Sequence, residues 1–224
     1  MPKVKMPRST PSLDMTPMVD LAFLLVTFFM LTSSFRAPEP VIVDPPSSTT
    51  EIQIPKQVFL ATIDKDGRVF IDLTNNAVKM AVTKKVMSKY KVPALSDENL
   101  KKFCGIGPFG LRLKEIQRFM ELETAERNAT YQPGVPYDTS AKVTECELMS
   151  WAYETQVAAY NDYKDREQIA KERNMPFDPD SKIQFAIKAD ANAKYDVVKK
   201  VIQVFRNAKV KQFQMITGLE ESPK

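Results

Sequence analysis

The stretch MVDLAFLLVTFFMLTSSF, residues 18–35, decides how the rest of this chain is read. It is the one long apolar run in the sequence, and it holds a carboxylate, Asp20. About eighteen residues make a helix of ~27 Å, just enough for a hydrocarbon core of ~30 Å. No Gly or Pro interrupts it, and Leu24, Leu25, Val26, Phe28, Phe29, Met30 and Leu31 can face lipid. The expectation is one N-terminal transmembrane helix over 13–36, preceded by a short basic tail, 1–12. Asp20 is the anomaly, because a carboxylate at the centre of a bilayer costs on the order of 3 kcal/mol.

Lys3, Lys5 and Arg8 precede the run against the single acid Asp14, and Arg36 follows it. The basic excess places the N-terminal side in the cytoplasm and the C-terminal domain outside it. A signal peptide also has a basic start and an apolar centre. Asp20 would interrupt that centre, however, and Ser33-Ser34-Phe35-Arg36-Ala37-Pro38 is a poor small-x-small cleavage site. No Cys directly follows the run, which speaks against a lipoprotein. The segment is therefore read as an uncleaved anchor.

Two readings of Asp20 stand side by side. It lies only ~3 Å deeper than Met18 along a helix axis, so it can sit hydrated among cytoplasmic headgroups. The other reading uses helix geometry. Thr16, Asp20, Thr27, Leu31 and Ser34 follow one another at three-, four- and seven-residue steps and share one face. Asp20 and Thr27 then form a thin polar stripe on an apolar helix. Lipid cannot satisfy such a stripe, so it must face protein or water. A carboxylate in a low-dielectric site is biased toward its protonated form. One that gains and loses a proton inside a membrane is a candidate proton relay, with Thr16 and Thr27 as the supporting polar face.

Leu13-Asp14-Met15-Thr16-Pro17-Met18-Val19-Asp20, followed by a Leu- and Phe-rich helix ending Phe29-Met30-Leu31-Thr32-Ser33, resembles the signature of the ExbD/TolR family. These are proton-driven, energy-transducing subunits of bacterial inner membranes. The resemblance covers roughly the first thirty-five residues. It implies that Asp20 carries the proton, and that the protein is a homodimer whose helices thread an ExbB/TolQ-like polytopic ring. It further implies a single pass with the N-terminus cytoplasmic and the C-terminal domain periplasmic. That domain would pass work to a TonB/TolA-like protein or to peptidoglycan. Such a subunit energises biopolymer transport, protein transport or other work across the envelope.

A chain of 224 residues holds an anchor and one ordinary domain. The net charge of +4 is mild and its basic residues are scattered, which makes nucleic acid a poor partner. His is absent, which removes Ser-His-Asp and Cys-His catalysis and His-based metal sites. No catalytic constellation, cofactor or metal is expected. The Pro/Ser/Thr-rich segment 37–55 reads as an extended linker at ~3 Å per residue, with short β-like runs at Val41–Val43 and Ile52–Ile54. In the family this region can pair as a strand with a second subunit. The domain proper spans 56–218, with 219–224 as a polar tail.

Val58 to Leu73 alternates as a β-hairpin about Asp66-Gly67. Asp64-x-Asp66-Gly67 has the start of a calcium loop but none of its downstream ligands. Asn75 or Asn76 caps a helix to about Tyr90, with Val78, Ala81, Val82, Lys85 and Val86 on its apolar face. Residues 92–180 depart from the family, whose members have a short connection here, and form a helical insert. Ser96 caps a short helix to Phe103, and Leu113, Ile116, Phe119, Met120 and Glu123 lie on another ending near Asn128. Thr144 and Glu147 have capping-box spacing for a long helix to about Asn174, with Leu148, Ala152, Val157, Tyr160 and Tyr163 as its stripe. These helices either pack on the domain or form a docking surface anchored by Trp151, Tyr153 and Tyr160. Cys104 and Cys146, the two cysteines, both fall in the insert. Outside the cytoplasm they can form a disulfide; free buried thiols are the alternative.

Ile183 to Ile187 reads as a strand, Asp190 or Asn192 as the start of a helix, and Phe213 to Ile216 as a closing strand ended by Gly218. Tyr195, Val198, Val201, Ile202 and Phe205 form that helix's core stripe. This strand-helix-strand end again resembles the ExbD/TolR periplasmic domain. The expected fold is an α/β (α+β) domain with a mixed sheet and a helical insert. A second functional class is a passive, membrane-anchored structural or binding protein with no proton role. It differs in allowing any apolar anchor to replace residues 18–35.

Overall fold

The computed structural model describes residues 15–32, 40–48, 55, 57–138, 146–177 and 182–219. The chain divides into two compact units, residues 1–37 and 38–224. The first contains α1 (Thr16–Thr32). The second is a mixed α+β domain in the order β1 (Ser47–Ser48), β2 (Val58–Ile63), β3 (Val69–Leu73), α2 (Asn76–Lys89), α3 (Asp97–Cys104), α4 (Leu113–Glu121), α5 (Thr124–Ala129), α6 (Glu147–Glu172), β4 (Gln184–Ala189), α7 (Tyr195–Asn207), β5 (Gln214–Ile216) and β6 (Gly218–Leu219).

Alternating side chains fold β2 and β3 into an antiparallel hairpin, Phe59 opposite Leu73 and Ile63 opposite Val69. Its turn is closed by the Asp64 N–H donating to the Arg68 carbonyl at 3.0 Å and the Gly67 N–H to the Asp64 carbonyl at 2.9 Å. Gly67 has φ 80°, a conformation that favours glycine. β2 also pairs in parallel with β4, and β4 in parallel with β5, giving a four-stranded mixed sheet ordered β3-β2-β4-β5. One face carries Phe59, Ala61, Ile63, Val69, Ile71, Leu73, Phe185 and Ile187, all buried in one cluster with residues of α2, α6 and α7. Phe59 sits 5.2 Å from Phe185 and 5.9 Å from Phe205, ring centre to ring centre. Each such ring stabilises the fold by roughly 1.5–3 kcal/mol through burial alone.

The insert is helical, and it is part of the core rather than an appendage. Leu148, Trp151 and Ala152 of α6 are buried, and α6 contacts both α2 and α7. The expected α6 stripe is half right. Leu148 and Ala152 are buried, but Met149, Ser150, Trp151, Thr155 and Ala158 complete the set, and Tyr160 is 58% exposed. Beyond Ala158 no residue of α6 is buried. Arg166 pairs there with Asp162 at 2.9 Å, and Lys171 with Glu167 at 2.7 Å, each one helical turn apart. The expected cap Thr144 lies outside the described residues. Cys146 holds the N-cap instead, its sulfur accepting from the Met149 N–H at 3.4 Å. The helix expected over 113–128 is two helices, because Leu122 and Glu123 take extended backbone angles between α4 and α5.

The insert also closes one rim of the sheet. Ile71 and Phe109 exchange both backbone hydrogen bonds, at 2.9 and 3.0 Å, and the Val135 N–H donates to the Val69 carbonyl at 2.8 Å. Gly110 makes this approach feasible: a Cβ there would lie 2.5 Å from the Phe70 ring.

Asn75 caps α2 as expected, its side chain accepting from the Ala77 and Val78 N–H groups. The buried face differs: Ala81 and Lys85 are exposed, while Lys79, Thr83 and Met87 are buried. Ser96 caps α3 as expected. α7 begins at Tyr195 rather than at Asp190 or Asn192, because the Asp190 carboxylate accepts from the Asn192 N–H at 2.9 Å and holds a turn. Its buried residues are Val201, Val204 and Phe205, whereas Tyr195 is 76% exposed.

Part of the expected linker is fastened to the domain. The Asp44 N–H donates to the Asp190 carboxylate at 3.3 Å, and the Ala191 N–H donates back to the Asp44 carbonyl at 2.9 Å. Val43 is buried beside them, and Ser47–Ser48 pair in parallel with Gly218–Leu219. Residues 40–48 therefore do not act as a free spacer, and Gly218 continues the chain into β6 rather than ending it. The β-like run Ile52–Ile54 lies outside the described residues.

Candidate functional site

Pro17 stands in the first turn of α1, where its missing N–H costs nothing, and the backbone winds on to Thr32 over 17 residues. Its large apolar side chains are exposed throughout, from Met18 at 59% to Leu31 at 87%, and no residue of α1 is buried. Among the described residues no helix is long and apolar enough to cross a membrane. The span expected over 13–36 extends past α1 on both sides into residues outside the description.

Asp20 lies one turn after Thr16, exposed, in a shallow groove with Met15, Pro17, Val19 and Phe23. Thr27 is seven residues further, on the same face but ~10 Å along the axis. That separation rules out a direct bond between the two side chains. The Thr27 hydroxyl instead donates to the Leu24 carbonyl at 2.9 Å, as the Thr32 hydroxyl does to the Phe28 carbonyl at 2.8 Å. Thr16, Asp20 and Thr27 thus share a face without forming a bonded network among themselves. With its proton committed to Leu24, the Thr27 hydroxyl can take further hydrogen bonds only as an acceptor, through its oxygen lone pairs.

The other candidate residues fall elsewhere. Cys104 and Cys146 are free and buried, so the disulfide is not formed. The Cys146 sulfur is engaged as the cap of α6 and lies 4.0 Å from the Pro136 carbonyl. Burial pushes both thiols above the ordinary cysteine range. Trp151 is 2% exposed and sits 5.4 Å from Phe109, ring to ring, so it anchors the core and not a partner. Tyr153 is half-buried against the same core, which leaves Tyr160 as the exposed member of the proposed docking trio. Asp64 is held by Arg68, Nε to Oδ2 at 3.0 Å, and accepts from the Lys65 N–H at 2.7 Å, so it is not positioned as a calcium ligand.

Sequence reasoning missed Lys79. It is 1% exposed, its ammonium donating to the Ile106 carbonyl at 2.6 Å and lying 3.6 Å from Asp72. The rings of Phe103 and Phe109 lie 5.5 and 5.6 Å from the same nitrogen. Burial lowers its pKa from the ordinary lysine value, with Asp72 opposing. Ile106, Phe103 and Phe109 all belong to the insert, so this one cation joins α2 to it. Periodicity gave only a weak cue: Lys79 follows Val78 and precedes Val82 by three residues.

Residues 6–97, less than half of the chain, match the model of the family described as ExbD: Biopolymer transport protein ExbD/TolR. The match takes in α1, the β2–β3 hairpin and α2, and ends at the first residue of α3, a few residues into the insert. No curated protein and no solved structure matches the chain.

Proposed function

We propose that this protein is the single-span subunit of a proton-driven motor in a bacterial inner membrane, with Asp20 as its proton carrier. α1 is the anchor, its N-terminus is cytoplasmic, and the α+β domain is periplasmic. The observation that carries the reading is Asp20 itself: a carboxylate in the family-matched stretch, on a helix that offers it no partner group other than its own turn. In a bilayer such a group requires protein or water supplied from outside the helix. An ExbB/TolQ-like ring around a pair of these helices supplies both.

Charged Asp20 is stable only while it faces a hydrated or paired half-channel. Protonation removes the charge, so the helix can pass apolar surface, and release of the proton on the cytoplasmic side resets it. The domain hands this movement to a TonB/TolA-like protein or to peptidoglycan. The protein acts by transmitting work rather than by covalent catalysis. Asp20→Asn keeps the shape and removes the titration. The expected outcome is normal assembly with the ring and loss of proton-driven transport to background; full activity in that variant overturns the proposal. Replacing residues 18–35 by an unrelated apolar anchor must likewise abolish function, and retained function would favour a passive anchored protein.

A further inference from the structure

The segment 194–211, which is α7 and the turn after it, carries six basic groups and one acid. That is more net positive charge than the +4 of the whole chain. Lys194, Lys199, Lys200, Arg206, Lys209 and Lys211 are all exposed, and none forms an ion pair with a described residue. Elsewhere on the domain some exposed cations find carboxylates among the described residues, Lys84 with Asp97, Lys102 with Glu98 and Lys171 with Glu167, while Lys85, Lys101 and Lys114 do not, so what sets this segment apart is its density of positive charge. Asp196, the one acid of the segment, pairs with none of its lysines. Val201, Val204 and Phe205 are fully buried, which fixes the orientation of the helix. At 100° per residue, Lys199, Lys200 and Arg206 then project on the outer side together with Tyr195, Gln203 and the one acid, Asp196, so that face carries three positive charges against one negative.

Chain connectivity adds to the charge. Asp44 is bonded to the turn at Asp190 and Ala191, just before Lys194. Asp44 is twelve residues beyond the end of α1, a contour of at most ~43 Å. If α1 is an anchor, the start of α7 is tethered within that distance of a bilayer, at a high effective concentration of headgroups. A basic helix face with an aromatic at its end matches anionic headgroups in charge and in shape.

We propose that the outer face of α7 docks on anionic phospholipid headgroups of the bilayer that holds α1. The inference rests on the anchor reading above. Contact is electrostatic and reversible, so the domain rests on the membrane and lifts off when it is pulled or when salt screens it.

The test uses the full chain with Gln203→Cys, labelled there with a nitroxide; the two native thiols are buried and do not compete. The protein is placed in lipid nanodiscs of phosphatidylcholine alone, or with roughly one-third phosphatidylglycerol. In the anionic discs, collision of the label with a water-soluble relaxation agent should fall about threefold or more, and recover at ~1 M salt. Adding Lys199→Gln, Lys200→Gln and Arg206→Gln should erase the difference at unchanged melting temperature. Equal accessibility in both discs, with the protein incorporated in both, overturns the docking and leaves the anchor standing. Failure to incorporate into neutral discs overturns the anchor, and this inference with it. Protection by a soluble anionic polysaccharide but not by anionic discs reassigns the face to a polymer and overturns the lipid proposal.

Discussion

Asp20 on α1 and Lys79 on α2 are both charges on helices within the family-matched stretch, and their surroundings are opposite. Lys79 is buried with a carbonyl at 2.6 Å, a carboxylate at 3.6 Å and two aromatic faces, all supplied by its own domain. Asp20 is exposed among apolar side chains, and no hydrogen bond or ion pair to its carboxylate is described. A charge satisfied internally is a structural tie. One left to a helix without partners points outside the chain, to whatever covers that helix. The comparison ties Lys79 to stability, and the function proposed for Asp20 draws on its lack of such partners.

The widest separation should come from neutralising each charge. Asp20→Asn is expected to bring proton-driven transport to background while domain unfolding in urea shifts by no more than about 0.5 kcal/mol. Lys79→Met is expected to leave transport intact. Loss of transport in Lys79→Met at normal folding would break the division. Trp151 offers the next largest effect: Trp151→Ala should cost about 3–5 kcal/mol in urea denaturation, whereas Tyr160→Ala should stay within about 0.5 kcal/mol. Equal small effects would return Trp151 to the role of a surface anchor.

At Lys79 itself, both variants lose the bond to the Ile106 carbonyl, but only the alanine variant also opens a cavity. The methionine variant keeps the stem's volume and removes a buried charge. Lys79→Ala should therefore be less stable than Lys79→Met by about 2 kcal/mol. The pH dependence has a definite sign. Because burial depresses the folded-state pKa, the unfolded chain binds this proton more tightly. Stability must then rise as the pH climbs from that depressed value toward the ordinary 10.5. Urea midpoints across that window should rise more in the wild type than in Lys79→Met, and identical slopes would contradict the burial argument. The smallest effect belongs to the clasp at Asp190. Asp190→Ala should speed hydrogen exchange at the Asp44 and Asn192 amides with little change in global stability. Hydrogen bonds from Asn192 and Asp44 hold the Asp190 carboxyl below the usual aspartate range, so acidification through that depressed value should loosen the wild-type clasp in the same way.

The elements with local signals were legible before the fold was. The β2–β3 hairpin follows from two-residue alternation around Asp66-Gly67, and α2 and α3 from their Asn75 and Ser96 caps. What failed depended on distant partners. Lys79 read as the solvent side of α2, because nothing local shows that Ile106 and Phe109 will cover it. Asp190 looked like a helix start, since an aspartate that holds a turn and one that caps a helix are alike until Asp44 is placed beside it. Trp151 stood between core and surface anchor, because an isolated helix cannot show which side the sheet will take. Of the candidate site, the face shared by Thr16, Asp20 and Thr27 was read from spacing and the role of Asp20 from the resemblance, whereas the bond from Thr27 to its own helix was not read at all.

The contact of Phe109 and Val135 with β3 has a consequence for how many copies of this sheet can join. A sheet with two free rims can grow without limit, adding chains on either side. Here one rim is already occupied by the protein's own backbone, and among the described residues only β5 offers another. Two chains meeting β5 to β5 would exhaust the available rims and stop, so the insertion would act as a terminator that makes a pair the largest assembly this sheet can build.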